Sequence, residues 1–258
     1  MKNAVETATG TYLYAIMRQS EDSQETKILL SGATGIDGSE VWLMSVGRLV
    51  AVVSDIAQNE IRPNRSRLAA HHDILKRLMP DGPLLPASFG LIADDYDSVY
   101  RLLTLNEAAL LEQLRRVEGK VEMGLRVFWD VPNLFEYIVN CHNELHELRD
   151  TLFRGGREPS RDEKIGLGQL FERALNESRH TYTEIMREIV APLCAEVKEN
   201  KPREEREVTD LACLVARERE KEFEQAVFKA ARLFDDNFRL DYSGPWPPYN
   251  FSQVSLRM

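Results

Sequence analysis

The sequence predicts a mixed α+β protein divided into two domains, 1–118 and 119–258, and three observations carry this reading. VWLMSV (41–46) and LVAVVSDI (49–56) are β-prone runs flanking Gly47 and Arg48, the pattern of a hairpin. VEMGLRVFW (121–129) alternates apolar Val121, Met123, Leu125, Val127 and Trp129 with Glu122, Gly124, Arg126 and Phe128, a period of two that marks a strand with one well-buried face. From about 164 to 200, apolar residues recur at helical period, as in Leu170, Phe171, Ala174, Leu175, Ile185, Met186, Ile189 and Val190.

The remaining elements follow in order. Tyr12 to Met17 is a short aromatic strand. Beyond Pro63, a helix over about 66–79 turns Leu68, Ile74, Leu75 and Leu78 inward. PLLPASFGLI (83–92) is expected as one buried strand. Asp94, Asp95 and Asp97 then supply the anionic N-terminus of a helix through Leu105, followed by a second helix over 106–119 that Gly119 stops. In the second domain, Pro132 opens one helix with an apolar stripe of Leu134, Ile138, Cys141, Leu145, Leu148 and Leu152. RGGREPSRDE (154–163) is a loop by composition, and Pro192 is expected to kink or divide the long helix that follows. DLACLVAR (210–217) fits a strand buried on both faces, a helix over 218–235 buries Phe223, Val227, Ala230 and Phe234, and FRLDY (238–242) closes the sheet. Helices covering one face of a short sheet are the economical arrangement.

Composition excludes several classes of function. The chain has 258 residues, 43% of them apolar, and a formal net charge of −9. Nucleic-acid and anionic-lipid binding both draw on clustered Lys and Arg, so the charge argues against them. RPNRSR (62–67) is the one compact basic run, and a solvated helix start accounts for it. No run has the length of a membrane span, and the first residues do not read as a secretory leader. Three cysteines, Cys141, Cys194 and Cys213, at wide spacing fit a reducing cytoplasm.

Motifs for chemistry are thin. GATGIDG (32–38) spaces its glycines as GxxGxxG, which matches neither the dinucleotide fingerprint nor a phosphate loop, so it reads as a turn. His142 and His146 stand at i and i+4, a spacing that suits zinc, but HNELH lacks the glutamate position of HExxH and the pair lies on the shoulder of an apolar stripe. His71 and His72, beside Asp73, have no nucleophile elbow or oxyanion motif near them. A metal-dependent hydrolase that brought His71 or His72 to His142 and His146 is the alternative function. The expectation is no catalytic residue, no metal, no cofactor, and action through protein contact.

The C-terminal run SGPWPPYNF (243–251) is the least ordinary part of the chain. Prolines stiffen an extended backbone, and aromatic side chains on it offer large apolar area at small entropic cost. The segment can fold back to seal a core edge, or it can present a contact surface made by Trp246, Pro247, Pro248, Tyr249 and Phe251.

GPWPPYNF (244–251) resembles the terminal signature of the gas vesicle protein L/F family. So do YLYAIM (12–17), GIDG (35–38), LVAVVSDI (49–56), HHDILKRL (71–78), LPASFGLI (85–92) and EGKVEMGLRVFWD (118–130), in family order along essentially the whole chain. Ser88 stands where the family often has a basic residue before the Phe-Gly pair, and the F side of the family is the expected one. The resemblance implies a non-enzymatic accessory or minor structural protein of gas vesicles, cytoplasmic and vesicle-associated. It implies as partners the major hydrophobic shell protein, which it would keep from aggregating, and other gas vesicle accessory proteins. The fold it implies is two α+β domains, the second a modified ferredoxin-like sheet with a helical insertion at about 160–200.

Overall fold

The computed structural model describes residues 10–19, 30–57 and 60–254; the first nine residues, which bear on the leader question, lie outside these. The chain forms two compact units, Met1–Glu122 together with Pro245–Met258, and Met123–Gly244. The division therefore falls a few residues beyond the expected 118/119 boundary, and the C-terminal segment joins the first unit, whereas the sequence reading gives it to the second.

The first unit is built on a sheet of β1 (Gly10–Arg18), β2 (Val41–Val46), β3 (Leu49–Ile56), β4 (Leu84–Pro86) and β5 (Ile92–Ala93). The order is β2-β3-β1-β4, with β5 also paired to β1, and these strands pair antiparallel. Central β1 is buried from Gly10 to Met17 because neighbours flank both of its edges and side chains cover both faces. The expected hairpin is present, with Val46 paired to Leu49 and Gly47 at φ +57 in the turn. PLLPASFGLI is not one strand. A turn closed by the Leu91 N–H on the Ser88 carbonyl, with Gly90 at φ +86, splits it into β4 and β5.

Helix α1 (Arg65–Leu78) starts where the Asn64 side chain accepts the Arg67 N–H at 2.9 Å. Its buried face is His71, Ile74, Leu75 and Leu78, at i, i+3, i+4 and i+7, so Leu68 is exposed and a histidine takes the expected leucine's place inside. Helix α2 (Tyr96–Val117) is single, where two were expected. Asp95 caps it by accepting the Ser98 N–H at 2.7 Å, and the Asn106 side-chain amide bonds back to the Leu102 carbonyl and so starts no second helix.

The second unit holds a four-stranded sheet of β6 (Lys120–Trp129), β7 (Cys194–Asn200), β8 (Glu207–Ala216) and β9 (Phe238–Trp246), in the order β7-β8-β6-β9. The three segments expected to share a sheet do so. The alternating residues of β6 are buried as expected, and β8 is buried from Glu207 to Val215.

Three helical expectations fail here. The helix after Pro132 breaks into α3 (Leu134–Cys141) and α4 (Asn143–Leu152), because His142 is extended, at φ −122 and ψ 106. Cys141 is exposed and is not part of an apolar stripe. Helix α5 (Arg161–Val190) opens on a Ser160/Glu163 capping box and stops at a short turn containing Pro192; residues 194–200 are strand β7, not helix. Helix α6 (Glu220–Ala231) buries Phe223, Val227 and Ala230 as expected but ends before Phe234, which is half-buried against Tyr182 and Phe238. Among the described residues no helix is long and apolar enough to cross a membrane.

The C-terminal segment as a candidate contact site

Beyond Trp246 the chain leaves its strand and folds onto the first unit. Pro247 and Pro248 are buried, Phe251 is 1% exposed, and Tyr249 packs half-buried against the core formed by Tyr12, Tyr14, Ile74, Leu75 and neighbouring residues. Of the five residues considered for contact, only Trp246 stays outside, at 42% exposure. Its ring meets His72 edge-on at 6.3 Å between centroids.

Polar groups hold this segment. The Glu122 carboxylate, 6% exposed, accepts the Asn250 backbone N–H and its side-chain amide, both at 2.7 Å. Gln113 on α2 accepts the Gln253 N–H at 2.7 Å through Oε1 and donates from Nε2 to the Gln253 carbonyl at 3.3 Å. His71 Nε2 lies 3.2 Å from the Tyr249 hydroxyl, and His71 Nδ1 lies 2.8 Å from the Tyr12 hydroxyl. A neutral imidazole accepts at one nitrogen and donates at the other, so it serves both hydroxyls without a charge. Burial first, and then the neighbouring His72, push the His71 pKa down to about 4. Burial raises the Tyr12 and Tyr249 hydroxyls.

His71, Gln113 and Glu122 were not singled out for this role from sequence. Glu122 falls with Arg126 in the non-apolar half of the β6 alternation, so no sequence signal marked it.

The remaining candidates have local partners. His142 Nε2 is 2.9 Å from the Ser178 hydroxyl, and His146 lies 3.5 Å from Asp150 one helical turn on. Among the described residues no group of three or more His, Cys, Asp or Glu side chains is placed to hold a metal. In the glycine loop, Ile36 donates its N–H to the Tyr14 hydroxyl at 2.8 Å, and a Cβ on Gly35 would collide with that same hydroxyl. Gly35 is therefore explained by close packing. From the basic run, Arg67 makes two hydrogen bonds with the Asp37 carboxylate, at 2.8 and 2.7 Å, and is already engaged within the fold.

Comparison with known proteins places this architecture. The family model described as gas vesicle synthesis protein GvpL/GvpF matches residues 10–253. Gas vesicle protein F of Nostoc sp. PCC 7120 is 29% identical over 251 residues, covering 96% of this chain and 100% of the relative. Gas vesicle protein L of a Streptomyces species is 28% identical over 266 residues, covering 95% of this chain and 93% of the relative. The crystal structure of GvpF from Anabaena sp. PCC 7120 superposes with a TM-score of 0.78 at 27% identity, covering 96% of this chain and 99% of that one. GvpF from Microcystis aeruginosa gives the same TM-score at 26% identity. On a match that runs through both units and includes the C-terminal segment, the chain belongs to the GvpL/GvpF family of gas vesicle synthesis proteins.

Proposed function

We propose that the protein takes part in gas vesicle assembly as a non-enzymatic accessory or minor structural component, by binding the hydrophobic shell protein through a surface centred on Trp246. Family membership supports the setting. The observation that carries the surface is the split within one short segment: Pro247, Pro248, Tyr249 and Phe251 are turned inward or half-buried, while Trp246 keeps 42% of its surface exposed. The anchors hold the segment in place, and the exposed indole is the part available to a partner. Covering such an aromatic surface contributes ~2 kcal/mol by area before ordering costs, so Trp246 serves as one anchor within a larger contact. Other gas vesicle accessory proteins are proposed as further partners, and the setting is the cytoplasm at the vesicle. The second unit, with its β6-α-β7-β8-α-β9 succession and order β7-β8-β6-β9, is read as ferredoxin-like with α5 as the core of a helical insertion.

The test is capture of shell protein by purified Trp246→Ala. Weakened capture at an unchanged melting temperature supports the reading. Wild-type capture by the folded variant removes Trp246 as the contact. The double variant His142→Gln with His146→Gln is expected to support vesicle formation, and its failure while folded would revive the histidine-based hydrolase alternative.

A further inference from the structure

Among the described residues the outer strand β2 pairs along its length with β3 alone, in unbroken register from Val41 with Ser54 to Val46 with Leu49. Its sequence, VWLMSV, has no charge and no proline. The other outer strands are three residues long, as β4 is, or carry charged side chains, as β7 and β9 do. Short length, charge, proline and bulges are what stop another strand from adding to a sheet edge, and β2 has none of them. In a two-residue hairpin the pair flanking the turn exchanges both backbone bonds. Counting back from Val46 and Leu49 therefore turns the N–H and C=O of Leu43 and Ser45 away from β3.

Both faces of β2 are apolar. Val41 and Leu43 pack against the core cluster that contains Tyr12, Leu30 and Ile36. On the opposite face Met44 and Val46 are buried, and the Trp42 ring stacks on Tyr96 of α2 at 5.8 Å between centroids. A hollow of about 730 Å³, lined by 30–34 and 38–43, runs beside the first half of the strand. At the Val41 end, Glu40 and Asp55 are exposed and line a second hollow of about 450 Å³ with Trp42. Asp37 beside them is engaged by Arg67, whereas among the described residues Glu40 and Asp55 have no such partner.

We propose that β2 is a docking edge for an extended segment of another protein, a run of about six consecutive apolar residues that pairs antiparallel with it and ends in Lys or Arg. Each feature of the occupant answers a feature of the edge. Apolar neighbours on both faces require apolar residues at every position, not at alternate ones. Antiparallel pairing brings the C-terminal end of the segment to Glu40 and Asp55, where a cation is complementary. The outward backbone groups of Leu43 and Ser45 supply the ladder bonds. The edge shares no residue with the Trp246 surface and does not depend on it.

The experiment measures binding of the labelled peptide Val-Ile-Val-Leu-Val-Ile-Lys-Lys to the full-length protein by fluorescence anisotropy. A control peptide is N-methylated at two adjacent central residues, which blocks the ladder on both of its edges and keeps every side chain. The parent chain and Trp246→Ala are expected to bind the first peptide equally. Binding is expected to weaken roughly tenfold or more with the N-methylated peptide, and likewise in Ser45→Lys, which puts a charge on an exposed edge position. Ser45→Pro, which removes an outward N–H, is the second variant, and melting curves establish that both are folded. Absence of binding overturns the proposal, as does equal binding of the N-methylated peptide or parent-like binding by the folded Ser45 variants. Binding lost in Trp246→Ala alone places the contact elsewhere and overturns it too.

Discussion

His71 and Tyr249, 178 residues apart in sequence, are joined by a hydrogen bond of 3.2 Å from Nε2 of the imidazole to the phenol oxygen. This bond ties the first buried helical face to the C-terminal segment. Tyr249→Phe keeps the ring and deletes the hydroxyl, removing the Nε2 contact in a site where His71 is 1% exposed. The expected loss is about 1–3 kcal/mol in urea unfolding. Phe251→Ala, which empties a filled apolar site, is expected to cost about 3–5 kcal/mol. An unchanged midpoint for Tyr249→Phe would show that the hydroxyl contact is idle.

The same imidazole sets a pH dependence. Its pKa is held down to about 4 against an ordinary 6.5, so the unfolded chain binds the proton more readily than the folded one. The stability that the neutral ring supports is therefore complete above pH 6.5 and is lost as pH falls from there towards 4. A shift of this size corresponds to about 3 kcal/mol. His71→Gln is expected to lower stability at pH 7.5 and to flatten the fall between pH 6.5 and 4 relative to the parent chain. Parallel pH profiles for the two proteins would contradict the assignment.

Gly35 is expected to resist substitution for a reason confined to packing. A Cβ there would lie 2.9 Å from Val41 Cγ2 and would displace the Tyr14 hydroxyl, which also sits 3.0 Å from the Ser54 hydroxyl. Gly35→Ala should cost about 1–3 kcal/mol from overpacking, with a further loss as the Ile36 N–H gives up its acceptor. Gly38, with open space around its Cα, should tolerate alanine better despite its φ of +84. Thermal unfolding of the two variants gives the comparison, and equal losses would sink it.

In the second unit Glu207 is fully buried, its carboxylate bonded to Arg126 Nε at 2.6 Å and to the Arg203 N–H at 2.6 Å. Desolvation raises its pKa, but the Arg126 hydrogen bond and the Arg203 N–H outweigh this and hold it below the usual carboxylate value. Removing the cation strands a buried charge, so Arg126→Met should cost about 3 kcal/mol or more. Glu207→Gln, which keeps an acceptor for the Arg203 N–H, should cost less. Chemical denaturation decides this, and a milder effect for Arg126→Met than for Glu207→Gln would reverse the argument.

What was legible in the sequence followed from how strongly each element advertised its period. The hairpin of β2 and β3, the alternation of β6 and the all-apolar run of β8 each carried a pattern that only one structure satisfies. β7 did not. CAEVKEN has no apolar alternation, and it directly follows a long helical period, so nothing in its pattern separates it from the helix before Pro192. The break at His142 was hidden because Leu134, Ile138, Leu145 and Leu152 stay near helical register on both sides of it. At the candidate site the aromatic segment stood out by composition, but its division into inward anchors and an outward Trp246 did not. That division depends on Gln113, Glu122 and His71, whose role is set by distant strand and helix positions and not by neighbours in sequence.

The polar strand β7 has one more consequence. It lies at one end of its sheet, next to β8 alone, and carries Glu196, Lys198 and Glu199, with a register irregularity between Cys194 and Glu196. Charges and a kink on an outer strand discourage further strands from adding on. Under the proposed contact with a hydrophobic shell protein, such a border would keep the chain from being drawn into aggregates of its partner. On this reading the weak apolar signal of β7 is a safeguard, a border at which β-pairing stops.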